Sequence, residues 1–380
     1  MISWNVPKIE YPEEPKMLNI LLWILICGIV ACSGFFIGIS LSTNDYLDPS
    51  WGNIKLILLF SIIPMFFVVL IRLLVHFIVL FKYQSICEEL NNCFYQWTVW
   101  AEKNIILLTS SRVSEIDEQN KNIILSKLTP NKNNQLLSEL LKSRPLWEKS
   151  EEITKALLTP ISKYYQEHRL STPINILWHV NTENSDVIEI DWAHVIQEQV
   201  ANLAFNVAKV EPLPQTHLTK WLSTLYDEAL TDELYIVLSI QFDVNNASEE
   251  ACCLLLSSPS FPELKEISRY SKLLRPIVCD TGSLSEALET QSELQFKGKN
   301  AQALWCCDLN EKNKEEVIIN FIKQNTDFSL ERIFDTEMML GNAGVARYAM
   351  AISLSSLDLP DRLLVSQLGS KLYLQRISSK

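Results

Sequence analysis

The chain has 380 residues, 48% of them hydrophobic and 21% charged, with only nine glycines. These values exclude a disordered chain, a collagen-like repeat and a polytopic transporter. Of its formal charge of −12, none falls in residues 1–82, which hold five acids and five bases; 40 of the 45 acids and 28 of the 33 bases lie beyond them. A body this acidic repels phosphates, which argues against nucleic acid as a partner.

Met17 to Ser42 reads MLNILLWILICGIVACSGFFIGISLS, 26 residues without a charge. At 1.5 Å per residue this stretch spans a bilayer core. It is too long, and too acidic in its preceding segment, for a secretory signal. Gly34 and Gly38 form a GxxxG pair suited to close helix packing. Residues 54–81 form a second span, IKLILLFSIIPMFFVVLIRLLVHFIVLF, with Pro64 as a kink. Arg72 and His76 share one face of it, with Arg72 placed to snorkel toward headgroups. The connecting loop, STNDYLDPSWGN, is acidic, whereas Lys8, Lys16, Arg72 and Lys82 flank the other ends. The positive-inside rule therefore puts the loop outside and both termini in the cytoplasm. The expected layout is a membrane segment over 1–82, a helical stalk over 83–128 and a soluble region over 129–380.

The stalk carries an apolar stripe through Ile86, Leu90, Phe94 and Trp97. Residues 129–150, with Pro130, Asn131 and Pro145, form a boundary. Beyond it helices (151–167, 192–205, 216–230, 284–294, 312–323, 345–354) alternate with strands (174–180, 234–240, 304–308, 371–377) and short apolar runs at 251–256 and 276–279. That alternation predicts a layered α/β fold, and LYIVLSI at 234–240 suits a sheet covered on both faces.

Nine cysteines occur with no CxxC, so they read as free thiols in a reducing compartment, without a structural zinc site. The sequence contains no GxSxG, P-loop, GxGxxG or HExxH. None of the five histidines has a second ligand at metal spacing, and Asp191, His194 and Glu198 read as a local ion pair on a helix. On these grounds no catalytic, cofactor-binding or metal residue is expected, and the cofactor expectation is none. Trp147, Trp178, Trp192 and Trp221 are candidate exposed anchors for a protein partner.

One segment has a distinctive shape. In DTEMMLGNAGVARYAMAISLSSL, residues 335–357, a glycine turn opens directly into a small-residue helix, where two backbone N–H groups can receive an anion. This resembles the late active-site turn of β-ketoacyl synthases in the thiolase-like superfamily. The resemblance places Glu337 at the family's lysine position and Asn342 at its histidine position, beside Gly341 and Gly344, and so implies a degenerate site without its cation and base. The layout is also similar to a proteobacterial inner-membrane family with membrane helices and a degenerate thiolase-like region. That family implies a non-catalytic adaptor or chaperone that loads a type VI secretion effector, such as a lipase, with the bilayer bound through residues 17–81. The alternatives are a membrane-bound acyltransferase or condensing enzyme, with Cys252, Cys253 or Cys279 as its thiol, and an immunity protein or membrane sensor.

Overall fold

The computed structural model describes residues 3–4, 6–7, 10–16, 19–42, 52–114, 145–181, 189–203, 205–227, 233–242, 249–296, 301–325, 328–357 and 361–379. The loop with Trp51, the second part of the expected stalk (115–128) and most of the expected boundary (129–144) lie outside them. Two units divide the chain, one of residues 7–97 and one of residues 1–6 with 98–380.

The first unit holds helix α1 (Ile20–Ser42) and nearly all of helix α2 (Gly52–Ala101). Both are long and apolar enough to cross a membrane, and their most apolar windows have almost no buried residues. Leu21, Phe36, Phe66 and Phe77 all expose their side chains, a surface that water does not tolerate over this length. The two helices meet closely at Gly34, where an added Cβ would stand 2.0 Å from the Phe60 carbonyl oxygen. Nearby the Ser61 hydroxyl donates to the Ala31 carbonyl at 3.0 Å. Arg72 lies 5.1 Å over the Trp23 ring, a contact that offsets part of the cost of a cation among apolar side chains.

Helix α2 stops at Ala101, and strand β1 (Asn104–Val113) follows. The expected continuous stalk is corrected here. Ile105, Ile106, Leu107 and Leu108 are buried on alternate faces of a sheet, so tertiary pairing overrides their helical reading.

The body continues with helix α3 (Leu146–Glu167), strand β2 (Ile174–Val180), helix α4 (Trp192–Ala201), strand β3 (Val207–Pro212), helix α5 (Leu218–Leu225), and strands β4 (Leu234–Gln241) and β5 (Glu250–Ser257). A second series follows. It comprises strands β6 (Ser271–Leu274) and β7 (Ile277–Cys279), helix α6 (Leu284–Leu294), strand β8 (Ala303–Cys307), helix α7 (Glu311–Gln324), strand β9 (Ile333–Asp335), helices α8 (Thr336–Leu340) and α9 (Arg347–Ser355), and strands β10 (Asp361–Leu368) and β11 (Lys371–Ser379). The strands form one mixed sheet in the order β3-β2-β4-β5-β1-β6-β11-β10-β8-β9, with β7 paired to β11. The layered α/β body read from the sequence is present.

The sheet is built twice over. In the first half, β2 pairs in parallel with β3 and β4, β4 and β5 form an antiparallel pair, and β1 lies antiparallel to β5. In the second half, β8 pairs in parallel with β9 and β10, β10 and β11 are antiparallel, and β6 lies antiparallel to β11. Each half therefore has the same spatial order, and the antiparallel β1–β6 pair joins them. The duplication gives α5 and α9 equivalent places, α5 leading into β4 and α9 into its counterpart β10. Both pack on one face of the sheet, against Leu177, Val237, Leu254, Trp305 and Leu364. All nine residues of α9 are buried, and its Ala349, Ala351 and Ser353 let it pass close to the strands. Helices α3 and α4 cover the other face with Ile153, Leu157, Ile161 and Ile196 against Ile174, Ile236, Leu238 and Leu255. Burial on both faces explains why β4 and β5 contain so few polar residues.

Candidate functional site

The parallel strands of both halves end at one cavity of about 710 Å³. Trp178 to Asn181 come from the end of β2, and Pro212 to His217 run from β3 to α5. Gln241 ends β4, Asp308 follows β8, and Asn342, Gly344, Val345 and Arg347 surround the start of α9. Carboxyl ends of parallel strands are where α/β sheets leave room for ligands, because the connecting loops turn away there.

Two imidazoles share this wall. His179 Nε2 lies 3.1 Å from the Thr216 carbonyl oxygen. A carbonyl only accepts, so Nε2 carries the proton and Nδ1 keeps its lone pair. Nδ1 is buried and has no hydrogen-bond partner. Burial lowers the His179 pKa from its ordinary 6.5, the Thr216 contact opposes this, and neighbouring His217 lowers it further. The ring is therefore a neutral base at pH 7. His217 is the residue from which α5 starts.

The glycine turn is tied across the two halves. The Val345 N–H donates to Gln241 Oε1 at 3.0 Å, and the Gly344 N–H to Asn342 Oδ1 at 3.4 Å. The anion site expected on these amides is corrected accordingly: side-chain oxygens already occupy both. Gly344 has φ +46°, and a Cβ there would meet Gln241 Oε1 at 2.0 Å, so glycine is required twice over. Gly341 caps α8 with φ +67°.

Glu337 and Asn342 do not leave the turn without a cation, as the resemblance implied. Arg347, only 9% exposed, reaches both. Its Nη1 donates to Glu337 Oε1 at 3.1 Å and also to Asp308, and its Nη2 donates to Asn342 Oδ1. Burial raises the Glu337 pKa while the Arg347 charge opposes the rise. Asp308 itself sits in left-handed backbone, φ +56°, which a non-glycine residue adopts only when its surroundings hold it there. Arg347 falls in the helix expected over 345–354, and its Asp308 and Glu337 partners lie 39 and 10 residues away along the chain.

The other candidates separate. Trp147 is exposed (56%) and Trp178 lines the cavity. Trp192 and Trp221, for which core packing was the alternative to a surface anchor, are core residues: Trp192 packs 5.8 Å from Phe242, and Trp221 edge-on to Tyr235 at 5.7 Å. Asp191 caps α4 through the His194 N–H, and the exposed His194–Glu198 pair is 3.5 Å apart. Cys252, Cys253 and Cys279 are buried and line no part of the cavity, which corrects them as nucleophile candidates. Cys307 borders a side lobe, where burial pushes its thiol up to about 12. No group of three metal-ligating side chains occurs among the described residues.

No known protein family and no curated protein matches the sequence. Among solved structures, OleA of Xanthomonas campestris is 9% identical, with 73% of this chain and 98% of that one covered and a TM-score of 0.44. The ketosynthase of the type II polyketide complex AntDE:AntF is 12% identical, covers 73% and 99%, and has a TM-score of 0.43. ChlB3, described as an "aceyltransferase", is 9% identical, covers 72% and 97%, and has a TM-score of 0.44. The expectation of a non-catalytic adaptor or chaperone for a type VI secretion effector rested on a turn without its cation and base, and is corrected by the cavity, where Arg347 and the imidazole of His179 line one wall.

Proposed function

We propose that this chain is a membrane-anchored, thiolase-like enzyme that moves acyl groups from thioesters, working in the cavity at the strand ends. Its two apolar helices hold it in a bacterial inner membrane with the body on the cytoplasmic side, an orientation favoured by Lys8, Lys16, Arg72 and Lys82. The observation that carries the reading is His179, a neutral, half-buried imidazole whose Nδ1 lone pair is unpartnered. Such a group takes a proton from an attacking nucleophile at pH 7. Arg347 supplies a cation on the same wall for the oxyanion of the tetrahedral intermediate.

No cysteine lines the main cavity among the described residues, so the reaction proposed is direct transfer, with no acyl-enzyme. The acceptor attacks the thioester carbon, His179 Nδ1 receives its proton, and the departing thiolate takes that proton back. The test is release of free thiol from short, medium and long acyl-thioesters by the full-length protein in detergent. The expected result is turnover that His179→Gln slows about 100-fold or more. Wild-type protein that leaves every thioester intact would sink the reading, as would an unimpaired variant.

A further inference from the structure

Beside the main cavity, sharing His179, His217 and Arg347 with its lining, is a side lobe of about 60 Å³ that Cys307, Tyr348 and Ser366 also border. Three buried polar atoms on its lining residues have no hydrogen-bond partner: His179 Nδ1, Ser366 Oγ and Arg347 Nε. Ser366 is 4% exposed and stands opposite Cys307 in the β8–β10 pairing. Its counterpart in the duplication, Ser239, stands opposite His179 in the β2–β4 pairing. Buried polar atoms are nearly always satisfied, because each orphan costs a desolvation penalty. Three orphans, from β2, β10 and the start of α9, around one small space point to a ligand group.

Their chemistry selects that group. His179 Nδ1 only accepts, the Arg347 Nε–H only donates, and the Ser366 hydroxyl does either. A carboxylate or carbonyl would satisfy Arg347 but has no hydrogen for His179. An ammonium would satisfy His179 but would face the guanidinium with nothing to accept its N–H. A hydroxyl satisfies all three, and the lobe has room for roughly one CH2OH group or two waters.

We propose that the lobe holds the acyl acceptor, that the acceptor is a primary alcohol, and that the product is an ester. This rests on the acyl-transfer reading above. In the step, the alcohol O–H bond breaks and its proton passes to His179 Nδ1. An O–C bond forms to the thioester carbon, the C–S bond breaks, and the thiolate leaves with the proton from His179. Nothing is oxidised or reduced. Ser366 acts as a positioning residue for the alcohol oxygen.

The test gives the full-length protein an acyl-thioester with a small primary alcohol, a small primary amine or no acceptor, and reads products by mass spectrometry. Ester formation that saturates with alcohol is the expected result. Ser366→Ala then raises the alcohol KM about tenfold and leaves the thioester KM unchanged, and Ser366→Thr, which restores the hydroxyl, recovers it. Free acid formed at one rate with or without alcohol, meaning a lobe that holds only water, overturns the proposal and leaves acyl transfer to water standing. Preferred amide formation overturns it in the same way. No loss of thioester under any condition overturns this proposal together with the reading beneath it.

Discussion

The Gln241 side-chain oxygen accepts the Val345 amide at 3.0 Å, so the end of a strand in one half holds the glycine turn of the other. Gln241 is buried, and its amide nitrogen donates to the Phe242 carbonyl at 2.8 Å, which fixes the side chain at both ends. The cavity wall is thus braced across the two halves by one amide group.

Gly344→Ala is expected to break this brace. A non-glycine residue in left-handed backbone costs about 1–2 kcal/mol, and the new Cβ would displace Gln241. Gln241→Ala alone removes a buried acceptor, a loss of about 1–3 kcal/mol. The two changes share one contact, so the double variant should lose less stability than the two single losses added together. Denaturant unfolding of the detergent-solubilised protein measures this; simple additivity would mean that Gln241 and Gly344 do not meet.

His179 predicts a pH dependence in activity and in stability. Its folded pKa lies below the ordinary 6.5, chiefly through burial. Above pH 6.5 neither the folded nor the unfolded state holds the proton, and the residue contributes no slope. As pH falls below 6.5 the unfolded chain binds the proton first, so stability declines until the folded value is reached and levels below it. Turnover falls through the folded value and is flat near pH 7, because the neutral ring is the active form. His179→Gln should remove that part of the stability slope, and a slope unchanged in the variant would assign it to other groups.

The sequence made some of this fold legible for simple reasons. Two apolar runs of bilayer length leave few alternatives, and INILWHV, LYIVLSI and LWCCD are too apolar and too short for anything but buried strands. Strand β1 was hidden because IILLTSS follows the end of α2 after only three residues, so the helical stripe runs on into it. Strand β10 was hidden because Asp361, Arg362 and Gln367 interrupt its apolar run, although Arg362 is buried in the structure. The cavity could not be read at all. His179, His217 and Arg347 lie far apart along the chain, and only the duplicated sheet order brings the end of β2 and the starts of α5 and α9 together. The glycine turn was found, but its chemistry was misread: the missing cation stands five residues past Asn342 rather than at Glu337.

Arg347→Ala should be costly at the site. Asp308, Glu337 and Asn342 would each lose a charge-assisted partner. The carboxylates are partly exposed, 57% for Asp308 and 40% for Glu337, so water compensates in part. The expected loss is about 1–3 kcal/mol. Arg347→Lys should fail to restore it, since an ammonium cannot span three acceptors in the geometry of a planar fork. With the guanidinium gone, the already raised Glu337 pKa should rise further. The deficit is therefore largest near neutral pH, where Glu337 is ionised, and shrinks on acidification. Unfolding midpoints of the two variants at neutral and acidic pH decide this; full rescue by lysine would count against a forked contact.

The two apolar helices offer a separate test at Gly34. A side chain there would strike the Phe60 carbonyl, so Gly34→Ile must push α1 away from α2. Gly28, with nothing within 4 Å of its Cβ position, should accept the same change. The contact can be read by placing cysteines at Ala31 and Ser61, whose residues meet at 3.0 Å, in a background where Cys27 and Cys32 are serine. Oxidation in native membranes should cross-link the parent protein and the Gly28→Ile variant but not Gly34→Ile. All three should stay in the membrane after alkaline washing, because the apolar length that anchors each helix is untouched. Equal cross-linking at Gly34→Ile would show that the helices do not approach through this glycine.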